Sequence, residues 1–286
     1  MVLESLIGVK KAERMPRYVF LLGLLYATVA IFLSLWIFRS EASLILVFLI
    51  VFASLPLMFK TFNFEAKKDL FAKNDNGLMR THTKALRLFM YLFIGIVIAL
   101  SVWYVFLPGD MVSDLFSSQV TTIKAINAGG MVTGKTAAWS FLTAIITNNL
   151  KVLVLCVLFS FFYGAGAIFI LTWNASVIAA AIGTFVRSNI AQYAETFGLF
   201  KVAGYFHIFS LGLLRYMTHG VFEILAYFIG GLAGGLISIA MVNHKFEGEH
   251  FRMILKDSLN LFILAVIVLL VAGFIEVFVT PMMFYS

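Results

Sequence analysis

Charge is what this sequence has least of. Only 12% of its 286 residues are Asp, Glu, Lys or Arg, about half the share found in a soluble domain. With 62% hydrophobic residues, 31 Phe and a mean hydropathy of +1.00, a water-soluble globule is excluded, because it could not hide that much apolar surface. Disorder needs the opposite balance and is excluded too. Cysteine is almost missing. Cys156 is the one thiol and lies within an apolar stretch. Neither a disulfide framework nor a thiolate metal site can be built from it, and it reads as a small buried hydrophobe. The first sixteen residues, MVLESLIGVKKAERMP, have no long apolar core and no small-residue cleavage site, so no removable signal peptide is expected. They read as a short amphipathic helix, with Leu3, Leu6 and Ile7 on lipid and Lys10, Lys11 and Arg14 on headgroups. Long internal repeats, coiled-coil heptads and strand-like alternation are absent as well.

What the sequence has is long apolar runs. A spanning helix needs about 20 mostly apolar residues. Seven stretches qualify, near 17–38, 42–59, 86–107, 139–163, 166–186, 215–242 and 258–283. Pro16 precedes the first, Pro56 lies within the second and Pro108 stops the third. The expected fold is all-α: a polytopic transmembrane helical bundle of about seven spanning helices, with six to eight compatible with the boundaries. Residues 1–107 read as an amphipathic segment plus a three-helix membrane unit, 108–138 as an extracytoplasmic loop, and 139–286 as a four-helix membrane unit. The segment 187–214 also reads as lying outside. Its apolar stretch YFHIFSLGLL is too short to span and fits an interfacial, re-entrant or helix-extending segment.

The net charge of +7 and pI near 9.5 would suggest nucleic acid in a soluble protein. Here the basic residues sort by loop instead. Fourteen Lys and Arg fall on the side of the N-terminus and six on the other, with Lys151 left inside a helix. The asymmetry predicts N-in, C-out. Residues 60–87 read as a mobile cytoplasmic loop, basic enough to rest on anionic headgroups. The expected location is the cell membrane and the expected partners are membrane lipids, not nucleic acid.

Residues 129–136, GGMVTGKT, satisfy the phosphate-loop pattern letter for letter. That pattern needs a preceding strand, a parallel sheet and a second carboxylate for magnesium. None can be built here. What survives is a weaker expectation: Gly130, Gly134 and Lys135 at a helix N-terminus as an anion-binding site.

Polar and ionisable residues in hydrocarbon are costly and tend to face partners or water. They are few: Asn148, Asn149 and Lys151 in the fourth helix, Asn174 in the fifth, His219 and Glu223 in the sixth, and Asp257 and Glu276 in the seventh. His219 and Glu223 stand four residues apart and share a helix face. That face continues through Tyr227 to Gly230, Gly231, Gly234 and Gly235, small residues that admit a neighbouring helix or a second copy of the chain in a homodimer. Apart from Asn174, nearer the middle, and Asp257, these residues are expected to cluster in the outer half of the membrane, with Lys151 as counter-ion to Glu223 or Glu276. Three readings of the cluster stand: structural glue between helices, a ligand or ion site, or a metal site of His219, Glu223 and Glu276. The block reads HGVFE, not the H-E-x-x-H of a zinc protease, and no serine has a base beside it. No catalytic residue and no cofactor are assigned.

These residues also carry a family likeness. The order NNLK, YGAGAIFILTWNAS, THGVFEILAYFIGGLAGG and AGFIEVFVTP resembles the stage II sporulation protein M family of integral membrane proteins. The matching positions are Asn149, Lys151, Gly164, Gly166, Asn174, His219, Gly220, Glu223, Gly234, Glu276 and Pro281, within residues 139–283. Ala175 stands where members often have Gly, and Thr218 where they often have Pro. The resemblance implies a membrane protein that works with partners. The sporulation members act with proteins that remodel peptidoglycan during engulfment, and related chains occur in organisms that do not sporulate, archaea included. No sporulation-specific feature is present here, so the engulfment role is not carried over. The leading expectation is a non-enzymatic scaffold or recruitment factor. The alternatives are a transporter, channel or lipid-handling protein, and an intramembrane metal-dependent hydrolase.

Overall fold

The computed structural model describes residues 9–71, 78–128, 135–163, 166–190, 199–242 and 249–284. Among them there is no strand. The helices are α1 (Val9–Arg14), α2 (Pro16–Ile37), α3 (Ala42–Phe71), α4 (Leu78–Phe106), α5 (Gly109–Ala128), α6 (Lys135–Tyr163), α7 (Ala167–Asn189), α8 (Leu199–Val242) and α9 (Glu249–Phe274). A π turn, Ile275–Val279, and α10 (Thr280–Phe284) continue the line of α9. Seven helices are long and apolar enough to cross a membrane. Seven alternating spans put the start of α2 and the end of α9 at opposite ends of the bundle, here called the N-side and the C-side.

α8 is the centre of the assembly. It is the most buried of the spanning helices, whereas α6 and α9 are mostly exposed. It packs on α6, α7 and α9. Its 44 residues span about 66 Å at 1.5 Å per residue, roughly twice the hydrocarbon thickness. Residues 199–214 are therefore the first part of this one helix, not a separate interfacial piece.

The first three spanning helices are not a separate layer. α4 packs on α2 and also on α7, and one hydrophobic core runs from Ala12 to Leu269. The α2–α4 crossing is set by two glycines. A Cβ on Gly23 would run into the carbonyl oxygen of Leu92, and one on Gly95 into that of Phe20. The two backbones touch because neither residue has a side chain.

Two segments read as loops are helical. Residues 60–71 belong to α3 and 78–87 to α4. Lys, Glu, Ala and Leu are good helix formers, and their charge lowers hydropathy without ending a helix. Residues 72–77 lie outside the described residues. The two extensions are joined by Glu65 and His82, both fully buried, with Oε2 and Nδ1 2.7 Å apart. Glu65→Gln keeps the volume but loses the charge-assisted bond. It is expected to lower stability by about 1 kcal/mol, read as an earlier unfolding midpoint in detergent. Pro56 sits inside α3, as proline can in spanning helices whose neighbours satisfy the released carbonyl.

The segment 108–138 is also not a loop over most of its length. α5 covers Gly109–Ala128 and packs on α3 and α7. It buries Val112, Leu115, Phe116 and Gln119 at helical spacing and exposes Asp110, Ser113, Ser117 and Thr121. Its first two turns are held by Arg39, 2.8 Å from Asp114 and 3.0 Å from Asp110. Gln119 ties three helices. Its amide donates to Ser176 Oγ at 3.1 Å, and its carbonyl accepts from Ser43 Oγ at 3.0 Å. Arg187 on α7 donates to the carbonyls of Leu107 and Val105 at the end of α4, where a cation also meets the negative end of the helix dipole.

Candidate functional site

The site grows out of α8. His219 and Glu223 lie on one face by their spacing, and both are half-buried. α6 brings Asn149, whose Nδ2 donates to Glu223 Oε1 at 2.5 Å. The π turn brings the carboxyl group of Glu276 beside that of Glu223. Asn149, Glu223 and Glu276 therefore form one polar knot between three helices.

A second tie lies one turn away on α8. His219 Nδ1 is 3.4 Å from Thr280 Oγ1. The Thr280 hydroxyl donates to the carbonyl of Ile275 at 3.1 Å, which leaves its lone pairs to accept from an Nδ1–H. The π turn has a local cause. Pro281 has no N–H for residue 277, and its ring crowds that carbonyl. The wider turn just before it, with Thr280 N bonded to Ile275 O, makes the room.

The other expected members stand apart. Asn174 bonds back to the carbonyl of Ile170 on its own helix at 2.8 Å. Asn148 is exposed and reaches only Asn149 Oδ1, at 3.4 Å. Lys151 is exposed and is not the counter-ion of Glu223 or Glu276. The reason is angular. Two residues advance an α-helix by about 200°, so Lys151 faces outward once Asn149 faces in. His219, Glu223 and Glu276 do not form a metal site either. Among the described residues no group of three His, Cys, Asp or Glu stands as metal ligands would.

The glycines divide by what they touch. A Cβ on Gly234 would run into the carbonyl oxygen of Val157, one on Gly230 into the end of the Leu153 side chain, and one on Gly231 would lie 2.8 Å from Ala167 Cβ. The small-residue face thus receives α6 and the start of α7 of the same chain. Gly235 and Gly220 are buried, with Ile178 3.8 Å from a Cβ on Gly220. A Cβ on Gly166 would meet the carbonyl oxygen of Phe159 in the α6–α7 turn. Gly164, Gly130 and Gly134 lie outside the described residues, and Lys135 opens α6. Sequence reading missed Thr280, Gln119, Ser43, Ser176 and the Glu65–His82 pair. Only Glu65 and His82, ionisable residues seventeen apart in a basic stretch, carried a signal that could have been followed.

An all-helical bundle with seven apolar spans and polar knots between them defines a multipass membrane protein. Residues 85–281 match the sequence profile of the Stage II sporulation protein M family, and the chain belongs to that family. The match begins within α4, so the family unit takes in the third spanning helix and α5 as well as the last four. An uncharacterized protein of Methanocaldococcus jannaschii is 28% identical over 141 residues, covering 48% of this chain and 70% of the relative. No solved structure matches.

Proposed function

We propose that this chain is a non-catalytic scaffold of the cell membrane, N-terminus inside and C-terminus outside, which gathers other membrane proteins and lipids around it. The observation that supports this most is how the intramembrane polar groups are used. Asn149 with Glu223, and His219 with Thr280, bond helix to helix. A conducting path or catalytic centre keeps such groups turned to a substrate or a water-filled cavity. One cavity among the described residues, between α4, α7 and α8, about 10 Å³ and lined by Leu92, Phe93, Ile96, Ile168, Leu171, Thr172 and Phe228, has room for no more than a water.

The orientation rests on the basic residues of the α3–α4 hairpin, which share the N-side with Arg14 and Arg17. The test is photocrosslinking in native membranes from the outward positions Leu25, Leu158 and Ile267, with flux and lipid-scrambling assays on proteoliposomes. Discrete adducts with other membrane proteins and no flux are expected. A chain that forms no adducts yet conducts ions or scrambles lipid overturns the scaffold.

A further inference from the structure

α6 differs from the other outward-facing helices. The outward residues in the middle of α2, α3 and α9 are apolar: Leu25 and Val29, Phe48 and Phe52, Ile263 and Ile267. On α6 the exposed residues Thr143, Thr147, Asn148 and Lys151 fall at helical spacing and form one polar stripe. Below Lys151 the same face is apolar again, with Val154, Leu155 and Leu158. The stripe is not at the membrane edge. Trp139, near the start of the span Ala138–Phe162, packs against Phe278 with ring centroids 6.0 Å apart. Lys151 is twelve residues further on, about 18 Å deeper. It stands at the middle of the span, roughly 15 Å from either interface, further than a lysine side chain can snorkel.

An ammonium there needs an anion. The acidic residues of the described spans do not supply one. Ile146 packs against Gly273, so Lys151 stands level with residues near Val268. By helix rise that is about 12 Å from Glu276 and about 16 Å from Asp257. Glu223 is held by Asn149, and Glu65 pairs with His82. A second copy of the chain in the same membrane orientation presents the same residues at the same depths, and the carboxylate nearest this one, Glu223, is turned inward to Asn149 in each copy.

We propose that the outward face of α6, centred on Lys151, is a docking surface for the spanning helix of a different protein that carries a carboxylate at mid-membrane. The proposal rests on the scaffold reading and names the chemistry of its partner. Thr143, Thr147 and Asn148 then offer hydrogen bonds along the partner helix, on the half of α6 between Lys151 and the C-side.

The test uses a defined probe: a dye-labelled leucine–alanine membrane helix with a single Glu at its centre, reconstituted with the full chain in phosphatidylcholine vesicles and followed by energy transfer. The Glu-centred helix is expected to bind roughly tenfold more tightly than its all-apolar counterpart. Lys151→Met should erase that difference, and Lys151→Glu should transfer the preference to a Lys-centred helix. Lys151 is exposed, so these variants should keep the parent's elution volume and unfolding midpoint. Equal binding of the Glu-centred and apolar helices, or binding that Lys151→Met leaves unchanged, overturns the proposal. So does loss of the helix when phosphatidylglycerol is added, if Lys151→Met also removes enrichment of that lipid; the occupant is then a lipid phosphate. Crosslinks in native membranes that persist in Lys151→Met would leave the scaffold standing while this surface falls. An absence of crosslinks from any position, together with flux, would remove the scaffold itself.

Discussion

Gly234→Val is expected to separate α6 from α8 and cost about 3 kcal/mol or more, the range for overpacking that cannot relax. A Cβ at this position would meet the carbonyl oxygen of Val157, its carbonyl carbon at 3.1 Å and the amide nitrogen of Phe161 at 3.2 Å. All three are backbone atoms, so no rotamer change makes room. α6 as a whole must move, and with it Asn149, the residue that holds Glu223. Gly230→Ala is a useful control one turn away. Its Cβ would meet the end of the Leu153 side chain, which can turn aside, and Val157 Cγ2 at 3.3 Å, which must give by a few tenths of an ångström; both are side-chain atoms, and the expected cost is about 1 kcal/mol. Unfolding of detergent-solubilised protein, followed by elution profile and thermal midpoint, separates the two.

Glu223→Ala is expected to lower stability by about 1.5 kcal/mol, an interhelical hydrogen bond at the upper end of what membrane proteins show. It removes the acceptor of the Asn149 Nδ2 amide, which is left unpaired in hydrocarbon, and empties the space beside the Glu276 carboxyl. Glu223→Gln should cost less than about 1 kcal/mol, because its carbonyl can still accept from Asn149. The ranking Gln above Ala is the signature of a knot whose job is bonding. A site that needed an ionised carboxylate for transport or turnover would lose function equally in both variants while keeping the stability of the Gln form.

The spans were readable in the sequence because hydropathy is a property of composition over about 20 residues, and the bundle uses those same stretches. The shared face of His219 and Glu223 was readable because helix periodicity fixes it. Three things were not. α5 carries too much polarity to register as a span, yet Gln119 is buried because Ser43 and Ser176 wait for it on two other helices. No local pattern announces that. The extensions of α3 and α4 past the membrane were hidden by their lysines and arginines, which look like loop residues to a hydropathy scale. Charge pairing in hydrocarbon groups Lys151 with the carboxylates. The angular offset from Asn149 argues the other way, since both residues cannot face α8. Pairing logic and helix geometry disagreed there, and geometry won.

The use of the polar knot as inter-helix bonding is tested most directly by a double-mutant cycle on Asn149→Ala and Glu223→Ala, read as unfolding free energy in one detergent. If the two side chains bond each other to hold α6 on α8, the double variant should cost less than the sum of the singles by about 1 kcal/mol. Strict additivity of the two losses, or single variants as stable as the parent, would contradict it.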